Sequence, residues 1–88
     1  MEDFELVETL FQQLLVATEP VLSDCERAEI RHFFDVGEYL LALETAVDIY
    51  QEEGRRASDL VVSIVGQLAN KMKLDSGALL LKLLANKK

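Results

Sequence analysis

The stretch Phe33-Phe34-Asp35-Val36-Gly37-Glu38-Tyr39-Leu40-Leu41-Ala42-Leu43-Glu44 lies near the middle of this 88-residue chain. One amphipathic segment ends there in two phenylalanines, and a second, strongly apolar segment begins directly after Gly37. Glycine adopts the left-handed backbone conformation without a steric penalty from Cβ, so it often follows the last residue of a helix. The stretch therefore predicts a helical hairpin around which the rest of the chain packs.

Two helices are predicted before the turn at Gly37. Apolar residues at helical spacing predict the first over residues 3–18, and Pro20 ends it because the residue before a proline is pushed out of helical angles. Ser23-Asp24-Cys25-Glu26 is a capping box, so the second helix should run from there to Asp35. The residues expected to pack inside the bundle from this second helix are Cys25, Ala28, Ile30, Phe33 and Phe34.

Three further segments follow the turn. A third helix is predicted over residues 38–53, ended by Gly54 in the same way as the second. A fourth begins after Ser58 and is apolar around most of its circumference, which predicts the buried centre of the bundle. Asp75 should cap a short last helix, with Leu81 off its apolar stripe. The sequence thus predicts a single all-α domain over residues 1–88, a bundle of four to five short helices.

The charge of the chain is strongly asymmetric. Residues 1–53 contain 14 acidic side chains and two basic ones, whereas residues 54–88 contain two acidic and seven basic ones, and the net charge is −7. An acidic surface argues against nucleic acid as the partner, because nucleic-acid binding needs a basic surface. Two interpretations stay open: a surface that keeps the chain in solution, or one that attracts a basic protein.

Composition also predicts where the chain works. No apolar run approaches the roughly 20 residues of a membrane-spanning helix, and the acidic start lacks the basic residues that begin a secretory signal. The single cysteine, Cys25, fits a reducing cytosol. We expect a cytoplasmic protein with no membrane partner.

Rotation by about 100° per residue separates two sides of the third helix. The side expected to face the core carries Tyr39, Leu43, Ala46, Val47 and Tyr50, with both tyrosine hydroxyls at its rim. Leu41 lies on the opposite side and is surrounded by carboxylates. An apolar residue within a charged rim is typical of the centre of a protein–protein interface. Alternatively, the first helix or the C-terminal segment covers Leu41. The candidate partner-binding residues are Asp35, Glu38, Leu41, Glu44, Asp48 and Glu52.

The residue pattern shows no catalytic, metal or cofactor site. His32 and Cys25 lie two helical turns apart, about 10 Å, which is too far for a nucleophile and its base. The carboxylate row of Glu44, Asp48 and Glu52 points away from the apolar stripe, whereas metal sites in bundles need converging ligands. We expect a protein that is not an enzyme and holds no cofactor.

The opening stretch and Leu68-Ala69-Asn70-Lys71-Met72-Lys73-Leu74 together resemble the small bacterial immunity proteins of the MafI type. These are short, acidic, helical proteins encoded beside polymorphic toxins that are delivered to neighbouring cells. The resemblance covers roughly residues 30–74, and this chain has Leu40 where such families often have a small residue. It implies an immunity protein that stays in the cytoplasm, binds a cognate toxin domain, often a nuclease, and neutralises it.

Two other classes of function remain open. The order Gly37-Glu38-Tyr39 with Ala42-Leu43 is similar to one helix pair of a tetratricopeptide array and would indicate an adaptor, although no second copy of the repeat is visible. The apolar C-terminal segment Ala78–Leu84 would instead indicate a homo-oligomeric regulatory or structural protein, for example a homodimer. Sedimentation at low and high salt separates the second class from a monomer.

Overall fold

The computed structural model describes residues 4–84 of the chain, which form five α-helices and no strand over that range. The prediction of an all-α bundle is confirmed. The predicted first residue of the first helix, Asp3, lies outside the described residues. The helices are α1 (Phe4–Ala17), α2 (Asp24–Asp35), α3 (Tyr39–Glu52), α4 (Asp59–Lys71) and α5 (Ser76–Leu84).

The main helix–helix contacts form a closed ring. Helix α1 packs on α2, α2 on α3, α3 on α5, α5 on α4, and α4 on α1. The Cα radius of gyration is 11.8 Å, close to the roughly 12 Å expected for a compact chain of this length. Each helix therefore turns one side towards the shared core and one side outwards.

Short polar side chains begin three of the helices, at the positions that the sequence indicates. The Glu26 N–H donates to Ser23 Oγ at 3.1 Å and the Ser23 N–H donates to Glu26 Oε1 at 2.9 Å, which completes the predicted capping box of α2. The Val61 N–H donates to Ser58 Oγ at the start of α4, and the Ala78 N–H donates to Asp75 Oδ1 at the start of α5. These bonds satisfy N–H groups that have no partner within the helix.

Three helices end in the same pair of backbone hydrogen bonds, known as the Schellman motif. After α2, the Glu38 N–H donates to the Phe33 carbonyl at 2.8 Å and the Gly37 N–H to the Phe34 carbonyl at 3.1 Å. Gly37 and Gly54, the predicted helix-ending residues, have positive φ angles of 82° and 65°. The third motif ends α4 and uses a lysine, Lys73, at a φ of 61°.

The core is apolar and takes residues from every helix. Phe11 of α1 is fully buried, and its ring centroid lies 5.4 Å from that of Phe34 and 5.8 Å from that of Tyr39. These rings join α1, α2 and α3 at the end of the bundle where the hairpin turns. Other fully buried side chains include Leu14, Ile30, Leu43, Ile64, Leu68 and Leu83.

The structure overturns three predictions about burial. Cys25 and Ala28 are exposed, because rotation by about 100° per residue sets them roughly 140° and 160° away from the buried Ile30. Leu60 is also exposed, so α4 is not enclosed all round: its outer side faces no other helix of the ring. The Tyr50 side chain is 1% exposed, so its hydroxyl lies in the core and not at the rim.

An ion pair that the sequence pattern did not reveal fastens the far end of the hairpin. Arg55 Nη1 lies 2.6 Å from Glu26 Oε1 and also donates to the Val21 carbonyl at 3.1 Å. The antiparallel packing of α2 and α3 brings the residue after α3 next to the first turn of α2. Arg55, one of the seven basic residues of residues 54–88, is therefore paired with an acidic residue of the chain itself.

Candidate protein-binding face on helix α3

Helix α3 has one buried side and one solvent side, as rotation about its axis predicted. The buried residues are Ala42, Leu43, Ala46, Val47, Ile49 and Tyr50. The solvent side, here called the α3 outer face, consists of Leu40, Leu41, Glu44, Asp48 and Glu52.

Leu41 is the apolar centre of the α3 outer face. Leu41 is 42% exposed, so the rest of the described chain covers it only in part. The alternative that Leu41 is a hidden packing residue is thereby wrong for the described part of the chain. A leucine that stays half in water contributes little to the core, and its burial by a partner would gain on the order of 1 kcal/mol.

Leu40 is a second exposed leucine on the same face, and sequence reasoning did not place it there. Its side chain is 44% exposed. Rotation alone does not separate it from the core, because Leu40 lies about 20° around the helix axis from Val47, which is fully buried. The α3 outer face is therefore more apolar than the row of carboxylates alone suggested.

The three acids of the α3 outer face differ in what surrounds them. Glu44 and Glu52 are exposed and form no ion pair with any residue of the described range 4–84. Asp48 Oδ1 lies 3.2 Å from Lys82 Nζ of α5. Because Lys82 neutralises Asp48 in part, Glu44 and Glu52 are the acids most available to a basic partner.

The two remaining candidate residues lie at the corner between α2 and α3. Glu38 is exposed at the position before α3, and its side chain makes no capping hydrogen bond. Asp35 is the last residue of α2 and is also exposed, with Arg31 Nε 3.9 Å from its Oδ2. Asp35 and Glu38 thus extend the acidic surface towards the turn, but they are not members of the α3 outer face.

The first turn of α3 is held in place by Tyr39. Its hydroxyl donates to Glu8 Oε2 of α1 at 3.0 Å, while its ring packs on Phe11 and Phe34. Burial raises the pKa of Tyr39, and the hydrogen bond and negative charge of Glu8 add to that effect. Burial also raises the pKa of Tyr50 in the last turn, against an opposing effect of Arg55. Both ends of α3 are anchored by aromatic residues, so the α3 outer face is presented by a fixed helix.

The described residues bring no reactive group into this region. Within residues 4–84, no three His, Cys, Asp or Glu side chains come close enough together to hold a metal ion. His32 is exposed on α2, and its ring contacts Phe33 edge-on at 5.6 Å between centroids. What the α3 outer face offers is two exposed leucines beside carboxylates, a combination suited to binding another protein.

Comparison with known protein families, curated proteins and solved structures gives no significant match to this chain. Over the described residues, none of the helices combines the length and the apolar character that crossing a membrane requires.

Proposed function

We propose that this chain is an immunity-type binding protein that neutralises a basic toxin domain through the α3 outer face. In this proposal it is not an enzyme, carries no cofactor and acts in the cytoplasm of the cell that makes the toxin. The resemblance to immunity proteins of the MafI type supports this class of function. The observation that supports the α3 outer face as the binding site is the exposure of Leu41. This leucine is held half exposed, among carboxylates, on a helix anchored at both ends.

Charge supports a basic partner. Residues 1–53 carry 14 acidic side chains against two basic ones, and Glu44 and Glu52 have no cation opposite them within residues 4–84. A nuclease holds its polyanionic substrate on a basic surface, so an acidic face can occupy that surface and associate with it quickly. Charge attracts the partner, and the two leucines then provide the apolar contact that slows dissociation.

The first experiment takes the protein encoded by the gene adjacent to that of this chain and measures whether this chain binds and inhibits its toxin domain. The unmodified chain should bind the purified domain and abolish its activity at equal molar amounts. If the pure domain stays active and unbound in the presence of an excess of this chain, the proposal is wrong.

The second experiment locates the face. Glu44→Lys and Glu52→Lys should each lower the association rate by about tenfold at low salt, with a smaller effect at high salt. Glu19→Lys is the matched control, since it makes the same charge change at an exposed position in the turn after α1. Equal effects of all three substitutions would mean that only net charge matters and that the α3 outer face is not the contact.

A further inference from the structure

The α3 outer face already holds a cation at its central carboxylate, and the chain itself supplies it. Lys82 of α5 places Nζ 3.2 Å from Asp48 Oδ1. Asp48 lies one helical turn from both Glu44 and Glu52, at the middle of the carboxylate row. Within residues 4–84, this is the only ion pair that a residue of the α3 outer face makes. A basic partner that binds this face therefore meets a positive charge at its centre.

The Lys82–Asp48 pair is exposed enough to open without disturbing the fold. Its two side chains are 46% and 45% exposed, whereas those of the Arg55–Glu26 pair are 31% and 20% exposed. Ion pairs that stay in contact with water contribute little to stability, because water and salt screen them. The next residue, Leu83, is buried in the core and anchors α5 independently of the lysine. Lys82 can therefore leave Asp48 while α5 stays packed on the bundle.

We propose that Lys82 is an intramolecular competitor for the cation of a basic partner, which binds the α3 outer face by displacing Lys82 from Asp48. The biological role of this competition rests on the proposed function, but the competition itself is a property of this chain alone. The lysine ammonium is strongly hydrated and lies on a flexible four-carbon stem, so it returns to water when it is displaced. Asp48 then exchanges one cation for another, and the lost ion pair lowers the affinity of every basic partner.

The competition also makes the face selective. A partner with a cation opposite Asp48 replaces the lost ion pair with a new one. A partner without such a cation either leaves Asp48 unpaired at the contact or covers the Lys82–Asp48 pair, and both outcomes remove charge from water at a cost in free energy. The partner that fits this face is a protein surface with a lysine or arginine opposite Asp48, beside an apolar recess for Leu41.

Binding of a decalysine peptide to the full chain tests the competition without the toxin domain. The side-chain carboxyl signals of Glu44 and Asp48, followed by NMR at about 0.1 M salt, report binding at each residue, because charges beyond about 10 Å are largely screened there. Lys82→Gln removes the competitor, so half-saturation of the Asp48 signal should need about threefold less peptide than in the unmodified chain. Lys71→Gln is the matched control: it makes the same charge change at an exposed lysine of α4, which is not a main neighbour of α3, and should leave the half-saturation unchanged.

Two further variants show whether Lys82 acts through Asp48. Lys82→Arg keeps a cation at this position and should retain the weaker peptide binding of the unmodified chain. Asp48→Asn removes the group for which Lys82 and the peptide compete, so adding Lys82→Gln to it should leave the half-saturation of the Glu44 signal unchanged. Equal effects of Lys82→Gln and Lys71→Gln would overturn the proposal. So would an effect of Lys82→Gln that persists in the Asp48→Asn background.

The same variants, measured against the toxin domain, separate this proposal from the proposed function. Lys82→Gln should lower the Kd of the domain by about threefold, and Lys71→Gln should leave it unchanged. If the domain does not bind but the peptide results are as expected, the proposed function is wrong and the competition by Lys82 stands. If the domain binds both variants equally well, the proposed function stands and Lys82 is not the competitor.

Discussion

Replacing Lys73 by glycine should stabilise the protein, because the lysine occupies a backbone conformation that suits glycine. Lys73 follows α4 with a φ of 61°, and its N–H donates to the Asn70 carbonyl at 3.2 Å. The equivalent position after α2 is Gly37, and after α3 it is Gly54. The chain thus uses the same helix-ending motif three times, twice with the favoured residue and once without it.

The size of the effect follows from the strain at Lys73 and from the unfolded chain. A residue with a Cβ in the left-handed conformation costs roughly 1–2 kcal/mol. Glycine has more conformational freedom than lysine in the unfolded state, which offsets about 0.4–1 kcal/mol of the stability gained by removing this strain. The net gain in the free energy of unfolding should be about 0.5–1 kcal/mol, and 1 kcal/mol corresponds to roughly 4–8 °C in Tm for a domain of this size.

Urea unfolding followed by circular dichroism measures this gain as a higher midpoint at an unchanged slope. Lys71→Gly is the matched control: it removes the same charge at the same helix end, but from the last helical residue of α4. Glycine in a helix costs up to about 1 kcal/mol, so this variant should be less stable than the unmodified chain. If Lys73→Gly were no more stable than Lys71→Gly, the account of the helix end would be refuted.

The other stability predictions use the same urea assay. Gly37→Ala should cost about 1 kcal/mol through strain at φ 82° alone, because its new Cβ meets no atom within 4 Å. Gly66→Ala should instead stabilise by up to about 1 kcal/mol, since it lies in α4 and its Cβ would make ordinary contact at 3.8 Å with Leu80. A shared sign for these two alanine variants would contradict the φ argument. Phe11→Ala should cost about 3–5 kcal/mol because the ring is fully buried between two others, and a loss under 1 kcal/mol would show that the aromatic cluster is not formed. The Ser23 N–H and then Arg55 hold the pKa of Glu26 below its ordinary value of 4.5. The Glu26 carboxylate therefore binds a proton more readily in the unfolded chain than in the folded one. The stabilisation from Glu26 is present above pH 4.5 and is lost as the pH falls below it. Glu26→Gln should flatten the fall of the urea midpoint on acidification, and an unchanged pH profile would exclude this role.

Much of the fold was predictable because short local sequence patterns mark several of its helix ends. Ser23 with Glu26 three residues later, and glycine at position 37, set the ends of α2 through hydrogen bonds between near neighbours. Lys73 shows the limit of such signals. It ends α4 in the same backbone geometry without glycine, so residue preference alone does not indicate where this helix ends.

The candidate site was predictable to the extent that rotation about one helix axis determines it. That rotation correctly separated Leu41 from Leu43, but it contains no information on which neighbour lies alongside the helix. The ion pair of Asp48 with Lys82 depends on how α5 packs on α3, a contact between distant parts of the chain. The exposure of Leu60 likewise depends on the order of helices in the ring, which the pattern within α4 does not encode.

The central claim, that the α3 outer face binds a basic toxin domain, is tested most directly by the affinity of that domain for Leu41→Ala. The control is Leu81→Ala, which shortens an exposed leucine on α5. If Leu41 is the apolar centre of the contact, its loss should cost about 1.4 kcal/mol or more, at least a tenfold rise in Kd, while Leu81→Ala leaves the Kd unchanged. An unchanged Kd for Leu41→Ala, with helicity intact, would contradict the claim and move the contact to another surface.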